Sequence, residues 1–187
     1  MRRFTVLLVC VLILGAAAFA QQAPRPLVIQ KTEIFGGFAY QHADTGSGIS
    51  TNLKGVAFEF SHYYANNFGF TIDVSGGWNG GVDSTGIKYS RSAYLAGPSY
   101  RLRNISFITP SVHALFGIDR SDFTVPEGEV TVHVRDTDFA AAGGVALDAT
   151  LSHHFAIRVA QLDYLYTHNY SNSQSSFRYS GGIVVRF

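Results

Sequence analysis

The sequence predicts an all-β fold, an eight-stranded antiparallel up-and-down transmembrane β-barrel, and three observations carry that expectation. The first is FRYSGGIVVRF at residues 177–187, where Phe177, Tyr179, Gly181, Ile183, Val185 and Phe187 share one parity and Arg178, Ser180, Gly182, Val184 and Arg186 the other. Side chains alternate faces along a strand, so one face is uncharged and the other holds both arginines, over a length that crosses a bilayer obliquely. The second is an N-terminal export signal: Arg2 and Arg3, an apolar run, Gly15, then Ala18, Phe19 and Ala20 as a small-residue cleavage site. The third is that no later stretch approaches the roughly 20 apolar residues of a spanning helix, so a crossing after export must use strands.

Residues 1–20 are accordingly expected to be a cleaved signal peptide, 21–30 a short periplasmic segment and 31–187 the barrel. QQAPRP follows the cleavage site in place of a basic stop-transfer pattern. Cys10 is the sole cysteine and lies inside the signal, so the mature chain is expected to have no disulfide and no thiolate site. Removing Arg2 and Arg3 from the 14 basic residues leaves 12 against 13 acidic ones, a balance that gives no field for nucleic acid. Fifteen Phe, ten Tyr and 19 Gly suit a barrel with aromatic girdles and a crowded interior.

The strands are drawn in order over residues 32–40, 53–63, 68–78, 87–101, 105–119, 134–151, 155–167 and 176–187. In the second, Val56, Phe58 and Phe60 point outward and Gly55, Ala57, Glu59 and Ser61 inward. The third sends Phe68, Phe70, Ile72, Val74 and Trp78 outward and Gly69, Thr71, Asp73 and Ser75 inward. In the fourth, Lys88 and Ser90 share the even face while Arg91 lies on the odd face with Tyr89 and Leu95, which leaves its register open. The fifth places Ile108, Val112, Ala114, Phe116 and Ile118 outward, with Thr109, Ser111 and His113 inside. The sixth turns Phe139, Val145, Leu147 and Leu151 outward, and Ala140, Ala142, Gly144, Ala146, Asp148 and Thr150 inward. In the seventh, Ala160, Leu162, Tyr164 and Tyr166 face lipid and Gln161 and Asp163 the lumen. Arg158 then falls on the lipid parity, where an arginine near the midplane costs about 2–4 kcal/mol. A bulge between Arg158 and Gln161, or placement at the interface, removes that cost. Connections alternate short (AANN, RN, SHH) and long (QHADTGSGIST, GGVDST, TVPEGEV, NYSNSQ), so the short turns and both termini are assigned to the periplasm and the long loops to the exterior.

Taken together, EIFGGFAY from Glu33, GVALDATLSHHFAIRVAQLDYLYT from Gly144 and the closing FRYSGGIVVRF resemble the small eight-stranded outer-membrane β-barrels of the OmpA-like and opacity-protein type. The resemblance covers most of the mature chain. It implies a monomer in the outer membrane of a Gram-negative-type cell, surrounded by outer-membrane lipid and lipopolysaccharide. It also implies delivery by periplasmic chaperones and recognition by the outer-membrane assembly machinery through the last strand, with Phe187 as the assembly signal.

Inward acids Glu59, Asp73, Asp148 and Asp163, with inward bases Arg178 and Arg186 and with Lys88 and Arg158 as further candidates, predict a lumenal ion-pair network, since buried charges persist only when paired. Such a network either lines a path for small solutes or ions or plugs the barrel; eight strands leave room for little beyond side chains, which favours the plug. An enzyme acting on lipid A, a deacylase, is a weaker alternative. His168 and Ser171 stand three apart, so on a regular strand they face opposite ways. His153 and His154 diverge in a turn, and His42, His62, His113 and His133 are dispersed, so neither metal nor cofactor is expected. The expected role is structural or adhesion-like, through extracellular loops that engage an unidentified surface ligand. One loop stands out: Phe123 to Val125 and Val130 to Val134 alternate around PEGE, as in a hairpin that extends the fifth and sixth strands beyond the membrane.

Overall fold

The computed structural model describes residues 30–44, 50–64, 67–82, 87–102, 107–127, 130–169 and 172–187. Residues 1–29, on which the expected signal peptide and all of the 21–30 segment but Gln30 fall, lie outside them. Eight strands follow in order: β1 (Thr32–Asp44), β2 (Ser50–Tyr63), β3 (Phe68–Val82), β4 (Ile87–Arg101), β5 (Ile108–Glu127), β6 (Val130–Thr150), β7 (Phe155–Asn169) and β8 (Asn172–Arg186). Each pairs antiparallel with its sequence neighbour, and β8 pairs with β1 to close the barrel. Among the described residues no helix is long and apolar enough to cross a membrane, and the crossing elements are strands.

The alternation read from the sequence organises the walls. Phe58, Phe60, Phe68, Ile72, Val74, Phe116, Ile118, Val145, Leu162 and Ile183 are exposed, whereas their neighbours Glu59, Asp73, Thr71, Asp163 and Val184 are buried. A surface so apolar is unfavourable in water and matched to hydrocarbon. Tyr40, Trp78, Phe139, Tyr166 and Phe177 lie toward the long-loop end, and Tyr64, Phe68, Tyr100, Phe107, Phe155 and Phe187 toward the short-turn end, both sets exposed. These are the two aromatic girdles that mark the membrane interfaces.

At the loop end the strands run further than the apolar alternation does. β1 and β2 reach Asp44 and Ser50, β3 reaches Val82, and β7 and β8 approach to Asn169 and Asn172. β5 and β6 extend past the 119 and 134 limits of the membrane strands to Glu127 and Val130, as the hairpin read around PEGE predicts. Above the bilayer both faces are wet, so the ladder continues without the alternation that lipid enforces. At the other end β6 stops at Thr150 rather than residue 151, and β8 at Arg186, although Phe187 and Thr32 still exchange backbone hydrogen bonds.

Two strands acquire a definite register. In β4 the odd face points inward, with Tyr89, Arg91, Ala93, Leu95, Ser99 and Arg101 buried; the Lys88 side chain lies outside the described residues. In β7 the pairing with β8 shifts between Arg158 and Gln161, opposite a matching shift between Leu147 and Asp148 on β6. Of the two routes open to Arg158 the chain takes the bulge, which turns this residue inward.

The interior is not uniformly polar. Ala93, Leu95, Leu115, Ala140, Ala142 and Leu165 form an apolar cluster along the β4–β7 wall. Phe35, Ala39, Ala57, Ala156 and Val184 form a second one across the β1–β8 seam. A barrel of eight strands is filled by its own side chains, so apolar packing and ion pairs share the space.

Candidate functional site: lumenal ion-pair network and extracellular hairpin

β8 supplies the central cation. Arg178 donates to Asp73 Oδ1 at 2.8 Å and Oδ2 at 3.0 Å, a two-pronged pairing across the barrel, and its Nε donates to Asp163 Oδ2 at 2.9 Å. Ser75 Oγ accepts from it as well. Asp163 Oδ1 lies 2.8 Å from His113 Nε2. The pair fits because residue 144 is glycine, where a Cβ would overlap both the Asp163 carboxylate and the imidazole.

Gln161 carries the network toward the short-turn end of the barrel. Its amide nitrogen donates to Asp163 Oδ2 at 3.1 Å and to Glu59, and its oxygen accepts from Arg158 at 2.7 Å. Arg158 also pairs with Glu59 at 2.5 Å and Asp148 at 2.8 Å, and lies over the Phe35 ring at 4.4 Å. Arg186 joins Asp148 at 3.1 Å to Glu33 at 2.6 Å. Arg101 pairs with Glu33 at 2.7 Å, covers the Tyr63 ring at 3.8 Å and donates to the Gln30 carbonyl at 3.2 Å. Toward the exterior, Arg91 pairs with Asp119 at 2.7 Å and donates to Ser176 Oγ at 3.1 Å, which also accepts from Gln41 at 3.0 Å.

Glu59, Asp73, Asp148, Asp163, Arg178 and Arg186 therefore stand in one connected interior set, linked by Arg158 and Gln161, and all are nearly solvent-free. Glu33, Arg91, Arg101 and Asp119 belong to the interior too and were not singled out in the sequence. Parity signals both Arg101 and Asp119 once their strands are in register, Asp119 sharing the face of His113. A cavity of about 10 Å³ between Arg91, Arg178, Gln41 and Ser75 has room for about one water. The arrangement fills the lumen with charges of opposite sign held at hydrogen-bond distance, with Asp119 Oδ2 left without a hydrogen-bond partner among the described residues.

The histidines are scattered. His168 is outward-facing and exposed, stacked on Tyr166 with centroids 6.4 Å apart, and Ser171 lies outside the described residues. His154 Nδ1 lies 3.1 Å from the Arg186 carbonyl oxygen, and His42 Nδ1 lies 2.7 Å from Asn52 Oδ1. Among the described residues no group of three His, Cys, Asp or Glu is placed to hold a metal.

At the loop end, β5 and β6 pair without interruption from Ile108↔Ala149 to Glu127↔Val130. β7 covers β6 only as far as Phe139↔His168, and β4 covers β5 only to Lys88↔Thr124. Residues 130–135 of β6 thus have no ladder partner on the β7 side among the described residues, over roughly 20 Å of strand at about 3.3 Å per residue. The Arg135–Asp122 ion pair, 2.7 Å, crosses the exposed hairpin base.

No protein-family model matches the sequence, and no curated protein does. Solved structures do match in shape. Ail, the attachment invasion locus protein of Yersinia pestis, superposes with a TM-score of 0.65 at 14% identity, over 83% of this chain and 98% of that one. Neisserial surface protein A gives 0.65 at 17% identity, over 83% and 97%. The outer membrane protein OprG from Pseudomonas aeruginosa gives 0.56 at 13% identity, over 84% and 96%. Eight antiparallel strands, closed in chain order around a charged and apolar interior, give this chain the fold of the small eight-stranded outer-membrane β-barrels.

Proposed function

We propose that the protein is exported through a cleaved signal peptide and resides in the outer membrane as a monomeric barrel with a structural or adhesion-like role. The plugged lumen supplies rigidity, the extracellular loops supply contact with a surface ligand, and catalysis has no part in this reading. The observation that carries it is the β5–β6 hairpin, whose edge at residues 130–135 has no ladder partner among the described residues and presents backbone donors and acceptors that an extended segment of another protein completes as an added strand. Likeness of fold supports the placement. One neighbour, the attachment invasion locus protein of Yersinia pestis, is also solved in complex with the heparin analogue sucrose octasulfate. Phe187, exposed and tied by its backbone to Thr32, is the assembly signal in this reading.

Deleting residues 123–134 and closing the gap with a short Gly–Ser turn removes the edge beyond the Asp122–Arg135 pair and tests the role. Outer-membrane fractionation and the mobility shift between unboiled and boiled samples should stay unchanged. Adhesion of expressing cells to cultured animal cells and to heparin-coated surfaces should fall to the level of cells lacking the protein; adhesion retained by the deletion variant overturns the assignment to this hairpin.

A further inference from the structure

On the lipid-facing side of β4, β5 and β6, three successive rows of cross-strand partners stand in register. Tyr94, Ile118 and Phe139 form the first, apolar and exposed at 46%, 46% and 56%. Two residues further toward the loop end come Ser92, Arg120 and Thr137, then Ser90, Asp122 and Arg135. The outermost charges cancel, because Arg135 pairs with Asp122. Arg120 is exposed, and among the described residues no carboxylate pairs with it. Directly opposite residues in antiparallel strands hold their Cβ atoms about 4.5–5.5 Å apart, so one hydroxyl flanks Arg120 on each side.

Height within the membrane gives this row its meaning. The outward residues Ile108, Val112, Phe116 and Ile118 lie in the hydrocarbon band, which places Arg120, the next outward residue, among the lipid headgroups. A guanidinium presents a planar fork of donors that matches a phosphate, and hydroxyls satisfy the oxygens it leaves. We propose that Arg120, flanked by Ser92 and Thr137, binds the phosphate of an outer-leaflet lipid whose acyl chains lie along Tyr94, Ile118 and Phe139. The proposal rests on the outer-membrane placement above, which sets this end of the barrel in the outer leaflet.

The test is native mass spectrometry of the detergent-purified full barrel, incubated with bis-phosphorylated lipid A or with the same lipid stripped of phosphate. The wild type should retain the phosphorylated lipid by at least about tenfold over the stripped one, the scale of one lost charge-assisted contact. R120Q should bring the two toward parity, while R135Q, whose charge is already paired, should leave the preference intact. Equal retention of both lipids by the wild type, an unchanged preference in R120Q, or an equal loss in R135Q overturns the site. Displacement of the lipid by equimolar inorganic phosphate overturns the lipid as occupant. If R120Q loses the mobility shift of a folded barrel, S92A/T137V carries the test: a reduced preference supports the cradle and an unchanged one refutes it. Membrane fractionation tests the placement separately, so failure of one reading is not mistaken for failure of the other.

Discussion

The hydroxyl of Tyr179 donates to the backbone carbonyl of Val159 at 3.0 Å, on the outer wall of the barrel. Val159 is the extra residue of the β7 bulge, with no ladder partner on β6 or β8, and it faces lipid. A carbonyl left bare in hydrocarbon costs several kcal/mol, and here a tyrosine two strand positions from Gly181 closes that gap.

Y179F should therefore destabilise the barrel by about 1–3 kcal/mol, the cost of orphaning a buried acceptor. Urea titration of protein folded into phospholipid vesicles, followed by tryptophan emission from Trp78, measures it. A change smaller than a few tenths of a kcal/mol would mean that the bulge carbonyl is satisfied in another way.

Replacing Arg178 by Met leaves Asp73 and Asp163 facing each other's charge without a cation between them. The expected loss is about 3–5 kcal/mol, as for one partner removed from a buried pair. Adding D73N and D163N to that variant should recover part of the loss, because the uncompensated charges go with it. The temperature at which the unboiled gel band disappears ranks the variants, and a triple variant no more heat-resistant than R178M contradicts the pairing argument.

G144A introduces a methyl into the space held by the His113–Asp163 contact. Overpacking of this kind costs about 1–3 kcal/mol. G143A is the control, since a Cβ at Gly143 meets nothing within 4 Å. Comparable unfolding midpoints for the two variants would show that the interior accommodates the methyl.

A lumen occupied by paired side chains should pass no steady current in planar bilayers at neutral pH. Current that scales with salt, from a preparation showing the folded gel mobility, would move the assignment from plugged scaffold to channel. In that event D148N and R178M should change its ion selectivity.

The sequence made the wall legible wherever lipid enforces alternation. Asp73, Asp163 and Arg178 declare their inward parity against Ile72, Leu162 and Tyr179, and Arg158 breaks parity at the β7 bulge that re-aims it. Legibility fails where that enforcement stops. In β4, Ser90 and Ser92 are polar outward-facing residues, so both faces read as mixed and Arg91 is left without an address. Glu33 is hidden for a different reason: its face also carries Phe35, 1% exposed and packed under Arg158, so the apolar neighbour disguises an inward strand face. The β5–β6 hairpin, by contrast, is legible beyond the membrane, because Phe123 to Val125 and Val130 to Val134 keep a strand alternation on either side of PEGE and the ladder does run to Glu127 and Val130.

The β1–β8 seam sets the order of events during biogenesis. Glu33 opposes Arg186 and Ala43 opposes Ser176, so these contacts join the first and last strands of the barrel. Contacts of such large sequence separation are slow to form, because the intervening chain must be organised before they repay its lost entropy. Until β8 arrives, β1 offers an unsatisfied edge that hydrocarbon does not tolerate. Insertion is therefore concerted, and a nascent chain arrested before its final hairpin has no stable half-barrel in which to wait.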